Sequence, residues 1–197
     1  MSRSAAEELA VAVVALRRGD IVAYPTETFY GLAVDPFDEL ALARLRELKG
    51  RGEKAFSALV VGAEMLERLC EPPDDKARAL MDRYWPGALT LALPARAGVP
   101  PALVLDGFVA VRESPHPMAR ALVRAFGGPI TATSANLAGQ PPASTPEEVS
   151  AALGGRCVVL AGGATPGGAP STLARVRGNR IEVLREGAVA IAPELLT

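Results

Sequence analysis

The sequence predicts an α/β domain built around a twisted sheet. Three observations carry that prediction. Short apolar runs of strand length alternate with segments whose apolar residues recur at helical spacing. Glycine, proline and capping residues fall at the joins. The glycine- and proline-rich pieces ("WPGA", "RAGVPPA", "AGQPPAST", "GGATPGGAPST") lie between elements, and none is long enough to be a domain linker. At 197 residues, 49% of them apolar, the chain can bury a core of its own, and a single domain over residues 1–197 is expected.

The elements follow in order. Ser4 and Glu7 form a capping box ahead of an amphipathic helix that Gly19 stops. "DIVAYPT" is a short strand ended by Pro25. "TETFYGLAVD" reads as turn-like and able to open a short helix. "DELALARLRELKG" spaces Leu40, Leu42, Leu45 and Leu48 among charges, with Asp38 at its start and Gly50 at its end, and is a helix. "FSALVVG" is a buried strand, and "DDKARALMDRYW" a helix ended by Pro86-Gly87. "ALTLAL", "FVAVR", "PITATS" and "CVVLAG" are further strands, with "HPMARALVRAF" and "TPEEVSAAL" as helices. "STLARV" and "RIEVLREG" close the chain as strands. The order of the strands in the sheet is not readable from the sequence.

Composition narrows the function. A net charge of -1 argues against a protein that coats nucleic acid non-specifically, and leaves room for a local basic cleft. Cys70 and Cys157 match no ligand spacing, and with His116 the sole histidine there is no zinc set. The cysteines read as buried thiols in a reducing compartment. The first segment is broken by Glu7 and Glu8, unlike a signal peptide, and no apolar run reaches the ~18 residues of a membrane span. A cytoplasmic protein without membrane association is expected.

The chain lacks a P-loop. "GRGEKA" imitates a dinucleotide fingerprint but follows a helix rather than a strand. Ser134 and His116 would supply a hydrolase on paper, yet "TATSANL" lacks the glycine-flanked nucleophile elbow. His116 reads instead as a helix-start residue, and Trp85-Pro86-Gly87 as packing and turn.

Anion-binding groups remain. Lysines are only Lys49, Lys54 and Lys76, against a combined 21 Lys and Arg, and two of them flank Arg51 in "LKGRGEK". These charges are equally what a solvated helix C-terminus carries. The rarity of lysine, its suitability as a point charge for phosphates, and the glycines that admit a ligand to the backbone favour a phosphate site. Arg112 ends the strand "FVAVR", where open α/β sheets place ligand-binding groups. Ser134 and Asn136 follow another strand, Ser171 and Thr172 follow a glycine-rich loop, and Arg185 ends "IEVLR". Around one concave face they would form a nucleotide site.

Taken together, "YPTETFYGLAVD", "LKGR", "YWPGALTLAL", "VAVRESPHP", "TATSANLAGQPPASTPEEV", "GGATPGGAPSTLARV" and "VLREGAV" resemble, in order, the YrdC-type family of threonylcarbamoyl-AMP synthases. The likeness runs over nearly the whole chain. It implies an open, twisted mixed sheet flanked by helices with a basic concave ligand cleft, in a short form without the extra C-terminal domain of longer relatives. It implies condensation of L-threonine, bicarbonate or CO2, and ATP to threonylcarbamoyl-AMP and pyrophosphate. Mg2+ accompanies the ATP phosphates, with no protein metal site and no side-chain nucleophile. The product goes to a separate transferase that modifies a tRNA adenosine, so that transferase and tRNA itself are implied partners.

Position by position, the resemblance puts Thr28, Arg112, Ser134 and Ser171 on threonine, with Arg112 clamping its carboxylate. It puts Lys49, Arg51, Ser134, Asn136, Ser144 and Arg185 on ATP. Relatives read K-x-R, three residues, a polar or basic residue and often Pro. "KGRGEKAFS" either lacks one residue, which gives Lys54 the phosphate role, or places Ala55 there. The shorter register is preferred. "LAG" after "SAN" replaces the commoner "LSG" and is expected to be harmless. The alternative reading is a double-stranded RNA or tRNA-binding module without catalysis; the acidic overall charge and hydroxyl-rich pocket speak against it.

Overall fold

The computed structural model describes residues 4–50, 52, 54–178 and 180–196. Arg51 lies outside them. The helices are α1 (Ala5–Arg17), α2 (Glu39–Lys49), α3 (Ala63–Glu67), α4 (Asp75–Tyr84), α5 (Pro117–Phe126), α6 (Pro146–Leu153) and α7 (Pro193–Leu196). The strands are β1 (Val22–Tyr24), β2 (Gly31–Ala33), β3 (Ser57–Leu59), β4 (Leu89–Pro94), β5 (Val104–Leu105), β6 (Phe108–Arg112), β7 (Ile130–Ser134), β8 (Val158–Val159), β9 (Thr172–Arg177) and β10 (Arg180–Arg185).

The caps form where the residue types place them. The Ser4 side chain accepts from the Glu7 N–H while Glu7 reaches back to the Ser4 N–H. One Asp38 oxygen takes the N–H groups of Leu40 and Ala41, each at 3.0 Å. Gly50 ends α2 in the left-handed region, φ 54°, which costs glycine little. His116 caps α5, as its place before Pro117 implied.

One segment departs from the sequence reading. "TETFYGLAVD" opens no helix; Gly31–Ala33 is a strand antiparallel to β1, pairing Tyr24 with Gly31. All three of its residues are buried, so it shows neither helical nor alternating periodicity. The glycine at its start sits in a tight place: a Cβ there would lie 3.0 Å from the Tyr24 ring, which would have to shift to admit it. The elements α3, β5 and α7 are too short to carry a periodic signature.

All ten strands join one sheet in the order β10-β9-β4-β6-β3-β7-β2-β1-β8, with β5 attached to β6. Pairs β1–β8, β3–β6 and β4–β9 are parallel and the rest antiparallel, so the sheet is mixed. Strand side chains alternate between its faces. One face carries Ala23, Leu32, Ala58, Leu89, Leu91, Leu93, Val109, Val111 and Ala174, packed with α2, α4 and α6 through Leu45, Leu80 and Val149. The other face carries Val22, Tyr24, Ala33, Leu59 and Ile130, packed with α1 and α5 through Leu16 and Leu122.

The second core stops at β3 and β7. On β4, β6 and β9 the residues alternating with the first core are Thr90, Ala92, Phe108, Ala110, Arg112, Leu173 and Arg175. Side chains on this half of the face are small or polar in the middle, and they form the floor of a concavity.

Candidate active site

The concavity contains a cleft of about 280 Å³. Its floor is Gly31, Ser57, Thr90, Ala132 and Arg112, and its walls are the loop of residues 26–30, the end of β7 and the segment at Ser171. Thr28, Arg112, Ser134, Ser171 and Arg185, drawn from five separated parts of the sequence, all line it.

Arg112 reaches the cleft because it ends β6 on the open face. Its side chain is 9% exposed and forms a salt bridge with Glu27 through Nη1. The second Glu27 oxygen accepts from the hydroxyl of Ser114, which is fully buried. Among the described residues nothing is hydrogen-bonded to Nε or Nη2 of Arg112, and no fully buried side-chain donor lacks a partner, so those groups open onto the cleft.

The loop after β1 is stapled to itself. Thr26 Oγ1 donates to the Phe29 carbonyl at 2.7 Å and accepts the Thr28 N–H at 3.2 Å. With that proton committed, the Thr28 hydroxyl is the donor in the 3.2 Å contact between the two threonines. The Thr28 carbonyl receives the Gly167 N–H at 2.7 Å, which ties the glycine-rich loop to this wall.

Ser134 ends β7 and donates to Asn136 Oδ1 at 2.6 Å. Asn136 Nδ2 donates to the Gln140 carbonyl. Lys49 stands behind this turn, 5% exposed, and its ammonium donates to Ser134 O at 2.7 Å, Asn136 O at 2.8 Å and Asn136 Oδ1 at 2.7 Å. Its own carbonyl accepts the Ala138 N–H. The C-terminus of α2 and the strand-end turn are thus one unit, and Lys49 shapes the wall that Ser134 presents.

Arg185, ending β10, donates through Nε and Nη2 to the Ser171 carbonyl at 3.2 and 2.7 Å. The Ser171 hydroxyl meets Thr90 Oγ1 at 2.8 Å. Partial desolvation, and then the nearby charge of Arg112, lower the pKa of Arg185. Two cations therefore face the same space.

The remaining expected residues lie further out. Lys54 lines an adjoining cleft of about 530 Å³, mainly apolar, with Leu103, Phe108, Leu173 and Leu184; Ser57, Thr90 and Arg185 line both clefts. Ser144 is not in the lining of either cleft; its N–H donates to Glu148 at 2.6 Å and its carbonyl receives Thr165. A hydrolase pair is not assembled. The Ser134 hydroxyl serves Asn136, and His116 Nδ1 accepts the Met118 N–H. Among the described residues, no group of three His, Cys, Asp or Glu is placed to hold a metal ion.

Glu27, Ser114 and Thr90 were not singled out in the sequence. Thr90 had a signal: it is the one polar residue in the apolar run "ALTLAL", on the alternate face. Glu27 and Ser114 had none, since their pairing spans 87 residues.

A threonylcarbamoyl-AMP synthase of Bacillus subtilis (strain 168) is 38% identical over 186 residues, covering 92% of this chain and 54% of that protein. One of Chromohalobacter salexigens is 44% identical over 171 residues, covering 85% of this chain and 92% of its own length. The crystal structure of P. abyssi Sua5 complexed with L-threonine superimposes with a TM-score of 0.86 at 34% identity, covering 95% of this chain and 56% of that one. The chain therefore spans about half the length of the B. subtilis and P. abyssi proteins and nearly all of the C. salexigens one. The profile of the Sua5/YciO/YrdC family, described as telomere recombination, matches residues 14–187. With that match over most of its length, and a cleft assembled from the same ordered motifs, the chain belongs to the Sua5/YciO/YrdC family.

Proposed function

We propose that this chain is a threonylcarbamoyl-AMP synthase, a nucleotidyltransferase acting on L-threonine, bicarbonate or CO2, and ATP. The observation that carries the reading is the convergence of Arg112, Thr28, Ser134, Ser171 and Arg185 on one cleft. A free guanidinium edge suits a carboxylate, and hydroxyls on two walls suit a small polar side chain. The relatives bear the name of this activity, and the P. abyssi structure holds L-threonine.

In this reading the neutral threonine amine adds to CO2 and gives up a proton to solvent, forming a carbamate. A carbamate oxygen attacks the α-phosphorus of ATP, the bond to the β-phosphate oxygen breaks, and pyrophosphate leaves. The nucleophile belongs to the substrate, so the protein contributes positioning and charge. Arg112 orients threonine, and Ser134 stands between the two substrates. Arg185 and the unit of Lys49 and Asn136 stabilise the nucleotide end, with Arg51, Lys54 and Ser144 as further nucleotide contacts. Among the described residues the cleft lining includes no carboxylate, and in this reading Mg2+ arrives with ATP as part of the substrate. The product would pass to a cytoplasmic transferase acting on tRNA adenosine.

The test is pyrophosphate release from ATP by the purified chain, with mass analysis of the nucleotide product. Release that requires both threonine and bicarbonate, with threonylcarbamoyl-AMP formed, is expected. Release independent of threonine, or RNA binding without any release, would sink the reading.

A further inference from the structure

Arg112 presents a problem that the reading above leaves open. It is meant to receive a substrate carboxylate, yet a protein carboxylate is already on it. Glu27 lies between the cleft-lining residues Thr26 and Thr28, and the threonine staple turns its side chain toward Arg112 and Ser114. It takes Nη1 alone, while its other oxygen is held by Ser114. A guanidinium can serve two carboxylates on different edges, so Glu27 need not leave when a ligand arrives.

We propose that Glu27 positions Arg112 and sets the charge selectivity at its free edge, so that this end of the cleft accepts an amino acid's single carboxylate and disfavours free phosphate. The proposal rests on the threonine reading of the cleft. Two consequences follow from the geometry. With one edge of Arg112 fixed by Glu27 and Ser114, the free edge is held facing the cleft before ligand binds, which removes an ordering cost. And among the described cleft-lining residues the cations are Arg112 and Arg185. Left uncompensated, that pair is a phosphate or dicarboxylate site. Glu27 neutralises one of the two charges and leaves a net attraction suited to one carboxylate. Its anion also stands where a second negative group would meet repulsion.

The test uses the full chain, with L-threonine binding followed by calorimetry in the absence of ATP, and inorganic phosphate as the competing probe. Glu27→Gln keeps the shape and removes the charge. The amide holds Arg112 less firmly than the carboxylate does, and this loss of orientation is expected to outweigh the added positive charge and weaken threonine binding by about ten-fold or more, while the added charge makes phosphate a competitor at concentrations that leave the wild type unaffected. In turnover, KM for threonine should rise while kcat at saturating threonine stays near wild type, a split that a general loss of folding would not produce. Ser114→Ala removes the second anchor without touching Arg112 and should weaken threonine binding in the same direction by a smaller factor. A folded Glu27→Gln with threonine affinity within about two-fold of wild type and no phosphate competition would overturn the proposal. Should Glu27→Gln fail to give a cooperative melt, unchanged threonine affinity in Ser114→Ala would overturn it equally. A wild-type chain that binds no threonine would instead sink the reading of the cleft itself, and this inference with it.

Discussion

Arg112 shows what a single side chain does here that a similar one would not. Its buried head holds Glu27 with one edge and opens the other to the cleft. A lysine at this position offers one point charge for both jobs. Arg112→Lys is therefore expected to keep the Glu27 ion pair and the fold while lowering threonine affinity by about ten- to hundred-fold, the ~1.5–3 kcal/mol of a charge-assisted hydrogen bond. Calorimetric titration with threonine, beside a thermal melt, checks both halves. Unchanged affinity would remove Arg112 from the ligand. At this scale the sequence showed an arginine at a strand end and a lysine-rich helix end. It did not show that the Lys49 ammonium is enclosed by Ser134 and Asn136, because that contact spans 85 residues and depends on two elements meeting.

Among the elements, α5 carries a pH dependence. His116 caps it by accepting the Met118 N–H at Nδ1, which only a neutral ring can do. Burial lowers the His116 pKa, opposed by the charge of Glu27. The sign follows from linkage: the unfolded chain takes up this proton more readily. Stability is therefore full above the ordinary histidine pKa of ~6.5 and declines as pH falls through it. His116→Asn keeps a capping acceptor that does not titrate. Its loss of stability between pH 7 and pH 5, measured by urea unfolding, should be smaller than that of the wild type, by up to the ~1 kcal/mol of a cap. An identical loss would show that other groups set the acid limb. Element type was readable wherever a periodic or capped segment ran long enough, as in α1, α2, α4 and α5. It failed at β2, where three buried residues carry no period at all.

For the molecule as a whole, the two cysteines distinguish global unfolding from local exposure. Cys70 lies in the first core at 2% exposure, and burial pushes its thiol up to about 12. Cys157 is half-buried, and burial raises its thiol to about 11, with the Arg156 charge opposing. A maleimide at neutral pH should label Cys157 in the folded protein and reach Cys70 at the rate of global unfolding. Raised thiol pKa values also contribute stability that is complete below the unfolded thiol value and lost as pH rises toward about 12. Equal labelling of both cysteines in the folded state would contradict the packing of the first core.

By itself the sequence determined the longer helices and strands and the ordered motifs that mark the family. These are local properties, carried by periodicity, caps and breakers within a dozen residues. Only the tertiary structure decided the order of the strands, and that α1 and α5 cover the second face no further than β3 and β7. It also decided that Glu27 meets Arg112 across 85 residues of chain. A cleft is the part of a sheet face that no helix covers, and coverage is settled by long-range packing, which leaves no period in the sequence to read.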